Sequence, residues 1–137
     1  MTIKEYLSST EILNKQIASK LEMKERLKAI AEKTTTSLHT TNVSGSGSNS
    51  KLEETIIKII SLEEEINAEI DLYVDTLKEI RDTINTLEDP EERLVLEYRY
   101  INHMSWDEVI GNLGFSERKC FMLHKSALKK LEKEIES

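Results

Sequence analysis

The sequence predicts an all-α protein: a long helical hairpin or coiled coil, followed by a compact C-terminal unit of three short helices. Three observations carry this. Apolar residues recur every seven positions through residues 51–88, the repeat of helices that pack along their whole length. One proline and four glycines in 137 residues leave the helical patterns almost uninterrupted,. Beyond Pro90, helix-start and helix-stop residues alternate at short intervals,.

The first helical pattern spans residues 3–33, with Ile3, Leu7, Leu13, Ile17, Leu21, Leu27 and Ile30 at loose helical spacing,. The uncharged stretch TTTSLHTTNVSGSGSNS, residues 34–50, has the composition of a flexible linker,. Its root-mean-square reach is roughly 20–25 Å. That closes an antiparallel hairpin and equally permits pairing between chains. In the second pattern Ile59, Ile66, Tyr73, Ile80 and Leu87 form one register. Ile56, Glu63, Ile70, Leu77 and Ile84 are expected as the other, and only Glu63 interrupts it,. A helix over 51–88 is about 55 Å long, so one face needs a partner throughout. Residues 1–50 carry seven basic and five acidic groups and residues 51–89 four and twelve. Opposite-sign flanks favour pairing the two patterns through their rims, each exposed pair adding about 0–1 kcal/mol.

The dipeptide Asp89-Pro90 ends this half, because proline lacks a donor and restricts the residue before it. The same pair starts a new helix, with Asp89 as cap and Pro90 in the first position. Domains are therefore expected at 1–89 and 90–137. In the second, PEERLVLEYRYIN places Leu94, Tyr98 and Ile101 on one face. Ser105 with Glu108, ahead of Val109 and Ile110, is a capping signature,. Gly114 suits a left-handed helix end, and Ser116 caps the last helix with Glu117 in its first turn,.

At 100° per residue, Cys120, Leu123, Ala127 and Leu131 of that last helix fall in one narrow arc, an apolar core stripe. Arg118, Met122, Lys125 and Lys129 fall opposite, and Lys119, Lys130 and Lys133 broaden the basic side. A chain of formal charge −7 thus concentrates positive charge on one helix face. Lysine opposite a core stripe is common on solvated helices. Here it sits on the second helix of a helix–glycine turn–helix arrangement, where such a face enters the DNA major groove and neutralises phosphates. The acidic helix over 51–88 is repelled by DNA and is expected to serve protein contacts. Cys120 reads as a small buried residue, Trp106 as a packing residue, and His124 lies at the edge of the core stripe with no assigned role,.

Other chemistries find little support. The three histidines share no metal-ligand spacing with Cys120,. There is no glycine-rich phosphate loop and no nucleophile elbow. No cofactor, metal or catalytic residue is expected, and the chain is not expected to be an enzyme. The N-terminal MTIKEYLSSTEIL lacks an apolar signal core, no run of about 18 apolar residues exists, and the lone cysteine fits a reducing compartment,. A cytoplasmic location with no membrane partner is the expectation.

The segment EERLVLEYRYINHMSWDEVIGNLGFSERKCFMLHKSALKKL resembles the fourth conserved region of bacterial sigma factors, a helix-turn-helix that reads the upstream promoter element. The matching residues are Arg93, Val95, Leu96, Arg99 and Tyr100, then Ser105 and Glu108 before Val109-Ile110. They continue with Leu113-Gly114 and Ser116, and end in Ala127-Leu128-Lys129-Lys130-Leu131. The chain's size and helical N-terminal half also resemble the RinA and ArpU group of phage transcriptional regulators. The resemblance implies a phage-encoded activator of late genes that binds promoter or operator DNA, with Ser116, Glu117, Arg118, Lys119, Met122 and Lys125 facing the DNA. A homodimer in the host cytoplasm is the expectation, with the N-terminal hairpin serving dimerisation or contact with host RNA polymerase. The chain departs from a full sigma factor in lacking an aromatic-rich segment for promoter opening. Two other classes share the pattern: a small terminase-like DNA-packaging subunit, and a coiled-coil interaction protein that does not bind DNA.

Overall fold

The computed structural model describes residues 1–41 and 46–136. Among these the chain is all-α, with no strand. Helix α1 spans Ile3–Thr41 and α2 Ser46–Ile84. Three shorter helices follow: α3 (Pro90–Leu96), which runs on into a π-helical turn over Glu97–Ile101, α4 (Trp106–Leu113) and α5 (Glu117–Glu136). No described helix is long and apolar enough to cross a membrane.

The chain divides into two compact units, but not at residue 89. Residues 14–72 form one, and residues 1–13 with 73–137 form the other. The first three turns of α1 and the end of α2 therefore belong with the three short helices. Their shared core explains why. Ile3, Leu7, Ile80, Ile84, Leu87, Leu96, Tyr100, Ala127 and Leu131 are buried in a single cluster. Three short helices of 7 to 20 residues enclose too little apolar surface to stand alone, and the two long helices supply the missing wall.

In the unit of residues 14–72, α1 and α2 pair antiparallel. Lys20 hydrogen-bonds Glu69 and lies 3.6 Å from Glu65, while Lys24 lies 3.2 Å from Glu63. Partner numbers fall as those on α1 rise, which fixes the direction. The Glu69 hydrogen bond holds the Lys20 ammonium above its ordinary pKa. The opposite-charge flanks of the sequence thus meet as rim ion pairs.

The seam itself corrects one expectation. Leu62, Ile66 and Thr55 are buried, with Ile59, Glu69, Tyr73 and Thr76 half-buried. The second register in this unit is therefore 55, 62, 69; of the expected 56, 63, 70, 77, 84, Ile56 and Ile70 are exposed, Glu63 and Leu77 half-buried and Ile84 buried. Exposure along the expected set falls from 43% at Ile56 through 38% at Ile70 to 0% at Ile84. An ideal helix drifts about 20° per heptad against a strict seven-residue repeat. Over four heptads that is about 80°, enough to carry one set of residues from the outside to the core. On α1, Leu21 and Ile30 of the expected stripe likewise face outward.

Two boundaries also move. The linker expected over 34–50 is helical to Thr41 and again from Ser46, and residues 42–45 lie outside the described residues. Thr34, Thr35 and Thr36 each donate a side-chain hydrogen bond to the carbonyl four residues back. That satisfies the hydroxyls without leaving the helix, and a helix already nucleated extends cheaply. At the other end α2 stops at Ile84 rather than 88. Thr86 and Leu87 donate from their backbone to carbonyls three residues back, a tightened turn that drops Leu87 into the core,. The Arg93 guanidinium then donates to the carbonyls of Leu87 and Glu88, at 2.5 and 3.1 Å, and ties this turn to α3.

Candidate nucleic-acid interface

The local signals of the C-terminal segment act as their chemistry requires. The Asp89 carboxylate accepts from the Glu91 backbone N–H at 2.9 Å, with Pro90 in the first helical position,. Ser105 accepts from Glu108 N–H at 3.2 Å and caps α4. Gly114 ends α4 with φ 71°, the left-handed geometry that lets its N–H reach the Ile110 carbonyl,. Two residues later the Ser116 hydroxyl accepts from Lys119 N–H at 3.1 Å and caps α5.

This turn orients α5 as the sequence pattern expects. Cys120, Ala127 and Leu131 are fully buried and Leu123 half-buried. Burial pushes the Cys120 thiol pKa up, leaving it a neutral packing group,. On the other side Ser116, Glu117, Arg118, Met122, Lys125 and Lys129 are all exposed. A shallow groove along this face is lined by Met122, Lys125, Ser126, Lys129, Lys130 and Lys133. The face is thus a continuous strip of positive charge with a methionine near its start.

Two of the lysines are engaged differently from the rest. Lys119 lies 2.8 Å from the Glu91 carboxylate, and its ammonium sits 4.1 Å above the centre of the Phe115 ring. Lys130 lies 2.5 Å from Glu92, whose side chain is almost wholly buried. Hydrogen bonding to Glu92 raises the Lys130 pKa. Ser126 lies 3.5 Å from the same carboxylate oxygen. Of the expected DNA-facing residues, Lys119 is therefore held back against α3, while Arg118, Lys125 and Lys129 are exposed on the helix face. In sequence, Glu91 and Glu92 look like dipole-complementing acids in the first turn of α3. Only the fold brings them beside α5.

A second group was not legible in advance. Trp106 packs 4.9 Å from Phe121 and 4.7 Å edge-on from His124, with the Arg99 guanidinium 5.2 Å over its ring. Arg99 also donates to the Met104 carbonyl at 2.7 Å. His124 Nε2 lies 2.6 Å from the Tyr100 hydroxyl. Burial, with help from Lys4 and Arg99, lowers the His124 pKa to about 4, so the ring is neutral near pH 7. Burial raises the Tyr100 pKa, so both partners of this hydrogen bond are neutral near pH 7. This aromatic cluster clamps the start of α4 onto α5 and fixes the angle between them. Trp106 and His124 are too far apart in sequence for periodicity to pair them.

The fold and the exposed α5 face define a class: all-α proteins that combine a long helical hairpin with a capped helix–turn–helix. Residues 32–132 match the model of a family described as a protein of unknown function, DUF1492, and the chain belongs to that family. No curated protein and no solved structure matches it.

Proposed function

We propose that this chain is a phage-encoded, sequence-specific DNA-binding regulator of transcription, an activator of late genes acting in the host cytoplasm. The α4–turn–α5 element would bind promoter or operator DNA. The hairpin would serve homo-oligomerisation or contact with host RNA polymerase. The single observation that carries the reading is the exposed strip Arg118, Met122, Lys125, Lys129 on α5, directly opposite a fully buried Cys120, Ala127, Leu131 stripe. A helix presented this way offers cations to phosphates and side chains of its first turns to base edges. The acidic balance of α2 supports a protein-facing role for that helix, since it is repelled by the phosphate backbone,.

The test is a gel shift with duplex DNA selected from a random pool, across a salt series. The expected result is binding that weakens as salt rises. Arg118→Ala/Lys125→Ala should lose at least tenfold in affinity, and the log–log salt slope should fall by about 2. Binding left unchanged by the double substitution refutes the assignment. Selected sites without any preferred sequence would instead favour a non-specific or packaging role.

A further inference from the structure

Among its described residues, the unit of residues 14–72 is a pair of helices that leaves more large apolar side chains exposed than buried. Ile17, Leu62 and Ile66 are its buried hydrophobics, whereas Leu21, Met23, Ile30, Ile56, Ile57, Ile60, Ile70 and Leu72 are exposed. The exposed ones are ordered. On α2, Ile56, Ile60, Glu63, Asn67 and Ile70 follow one another at steps of four, three, four and three. This second coiled-coil stripe runs for about 21 Å, beside the seam that already holds α1. Glu63 and Asn67 are its two polar positions, and polar residues within an apolar stripe fix the register of a paired helix. Among the described residues, Glu63 of this stripe is engaged by Lys24 of its own unit, while Ile56, Ile60 and Ile70 are exposed and mark an interaction surface.

Charge says what covers it. The edge of the stripe is acidic, with Glu53, Glu64 and Asp71 exposed. Two copies of α2 placed stripe to stripe would set these carboxylates against each other. On α1, the outward Met23 and Ile30 are flanked by exposed Arg26 and Lys33, with Glu22 and Glu25 lining one groove with Arg26. Beside them α1 and α2 leave a groove lined by Met23, Leu27 and Leu62, with Lys58, Ser61 and Glu65 along it. We infer that the Ile56–Ile60–Ile70 stripe of one chain docks on the Met23–Ile30 face of a second copy, α2 against α1. Apolar stripe meets apolar groove, and the acidic edge of one meets the basic edge of the other. Because the two surfaces differ, the contact is head-to-tail, and each copy keeps one free surface of each kind until the assembly closes.

This deepens the oligomerisation part of the proposed function and does not depend on DNA binding. The experiment is light scattering on the eluting full-length chain, with circular dichroism as the control for helicity. The wild type is expected at a mass at least twice its 15.8 kDa, and Ile56→Gln/Ile60→Gln/Ile70→Gln at the monomer mass with helicity kept. Arg26→Glu/Lys33→Glu, which leaves every apolar contact in place, is expected to dissociate the assembly. Adding Glu64→Lys/Asp71→Lys to that same chain is expected to restore it. A monomeric wild type overturns both the inference and the oligomerisation part of the function, while leaving the gel-shift result to stand by itself. An assembly that survives Arg26→Glu/Lys33→Glu overturns the α2-on-α1 pairing alone. One that survives the isoleucine substitutions overturns the stripe.

Discussion

Two glycines of the turn region, three residues apart, should respond to the same substitution with opposite signs. Gly114 has φ 71°, and an added Cβ would meet no atom within 4 Å. The cost of Gly114→Ala is thus free of any clash and reduces to the left-handed backbone, about 1 kcal/mol. Gly111 lies inside α4, and a Cβ there also meets nothing within 4 Å. Gly111→Ala therefore gains helix propensity, about 0.5–1 kcal/mol. The difference between the two variants is about 1.5–2 kcal/mol. At roughly 4 °C per kcal/mol for a chain of this size, their melting temperatures should differ by about 6–8 °C. Wild type falls between them. Thermal melts followed by circular dichroism measure this directly, since neither substitution removes a contact. A Gly114→Ala variant as stable as Gly111→Ala would refute the argument that the turn depends on left-handed geometry.

The ion pairs predict unequal roles for the α5 cations: Lys119→Ala should cost less DNA affinity than Arg118→Ala, and Glu91→Gln should raise affinity by releasing Lys119, both read by gel shift. Leu131, fully buried, should lose about 2–5 kcal/mol as Leu131→Ala, whereas Met122→Ala, at a position 62% exposed, should stay within about 0.5 kcal/mol in urea denaturation. His124 supplies a pH signature. Its folded pKa of about 4 lies below the ordinary 6.5, so the unfolded chain binds the extra proton first. Stability is full above pH 6.5 and falls as the pH drops toward 4. Melting temperature plotted against pH should lose part of that slope in His124→Asn, and an unaltered slope would place the acid sensitivity elsewhere.

The sequence made the ends of the short helices legible because capping is local chemistry. Asp89, Ser105, Gly114 and Ser116 all sit where a hydrogen bond or a left-handed residue is needed within four positions of themselves. The inward face of α5 was legible for a related reason, since one helix carries one clear apolar arc. The long hairpin was harder. Helix α2 carries two stripes with the same three-four spacing, and Ile56 and Ile70 look more like a core than Thr55 and Glu69 do. The burial of Thr55, Leu62 and Ile66 in the folded chain decides between them. Thr34–Thr36 misled in the opposite direction, because composition does not reveal that their hydroxyls can bond back along the helix. The pairings of Glu91 with Lys119 and of Tyr100 with His124 join residues more than twenty positions apart, beyond the reach of any local pattern.

Ile3 and Leu7 share their buried cluster with Ala127 and Leu131. During synthesis the earliest-made part of this unit therefore waits for nearly the whole remaining chain before its partners exist. Helix α1 can form as it emerges, and the hairpin of residues 14–72 can close around it. The α3–α5 segment then adds last onto a wall already standing. Contacts of such sequence separation slow folding through the cost of closing the intervening chain. A nascent chain cut short before Leu131 carries Leu7, Ile80 and Ile84 uncovered, a state prone to association. The docking of α5 is thus both the step that completes the fold and the step that presents its basic face.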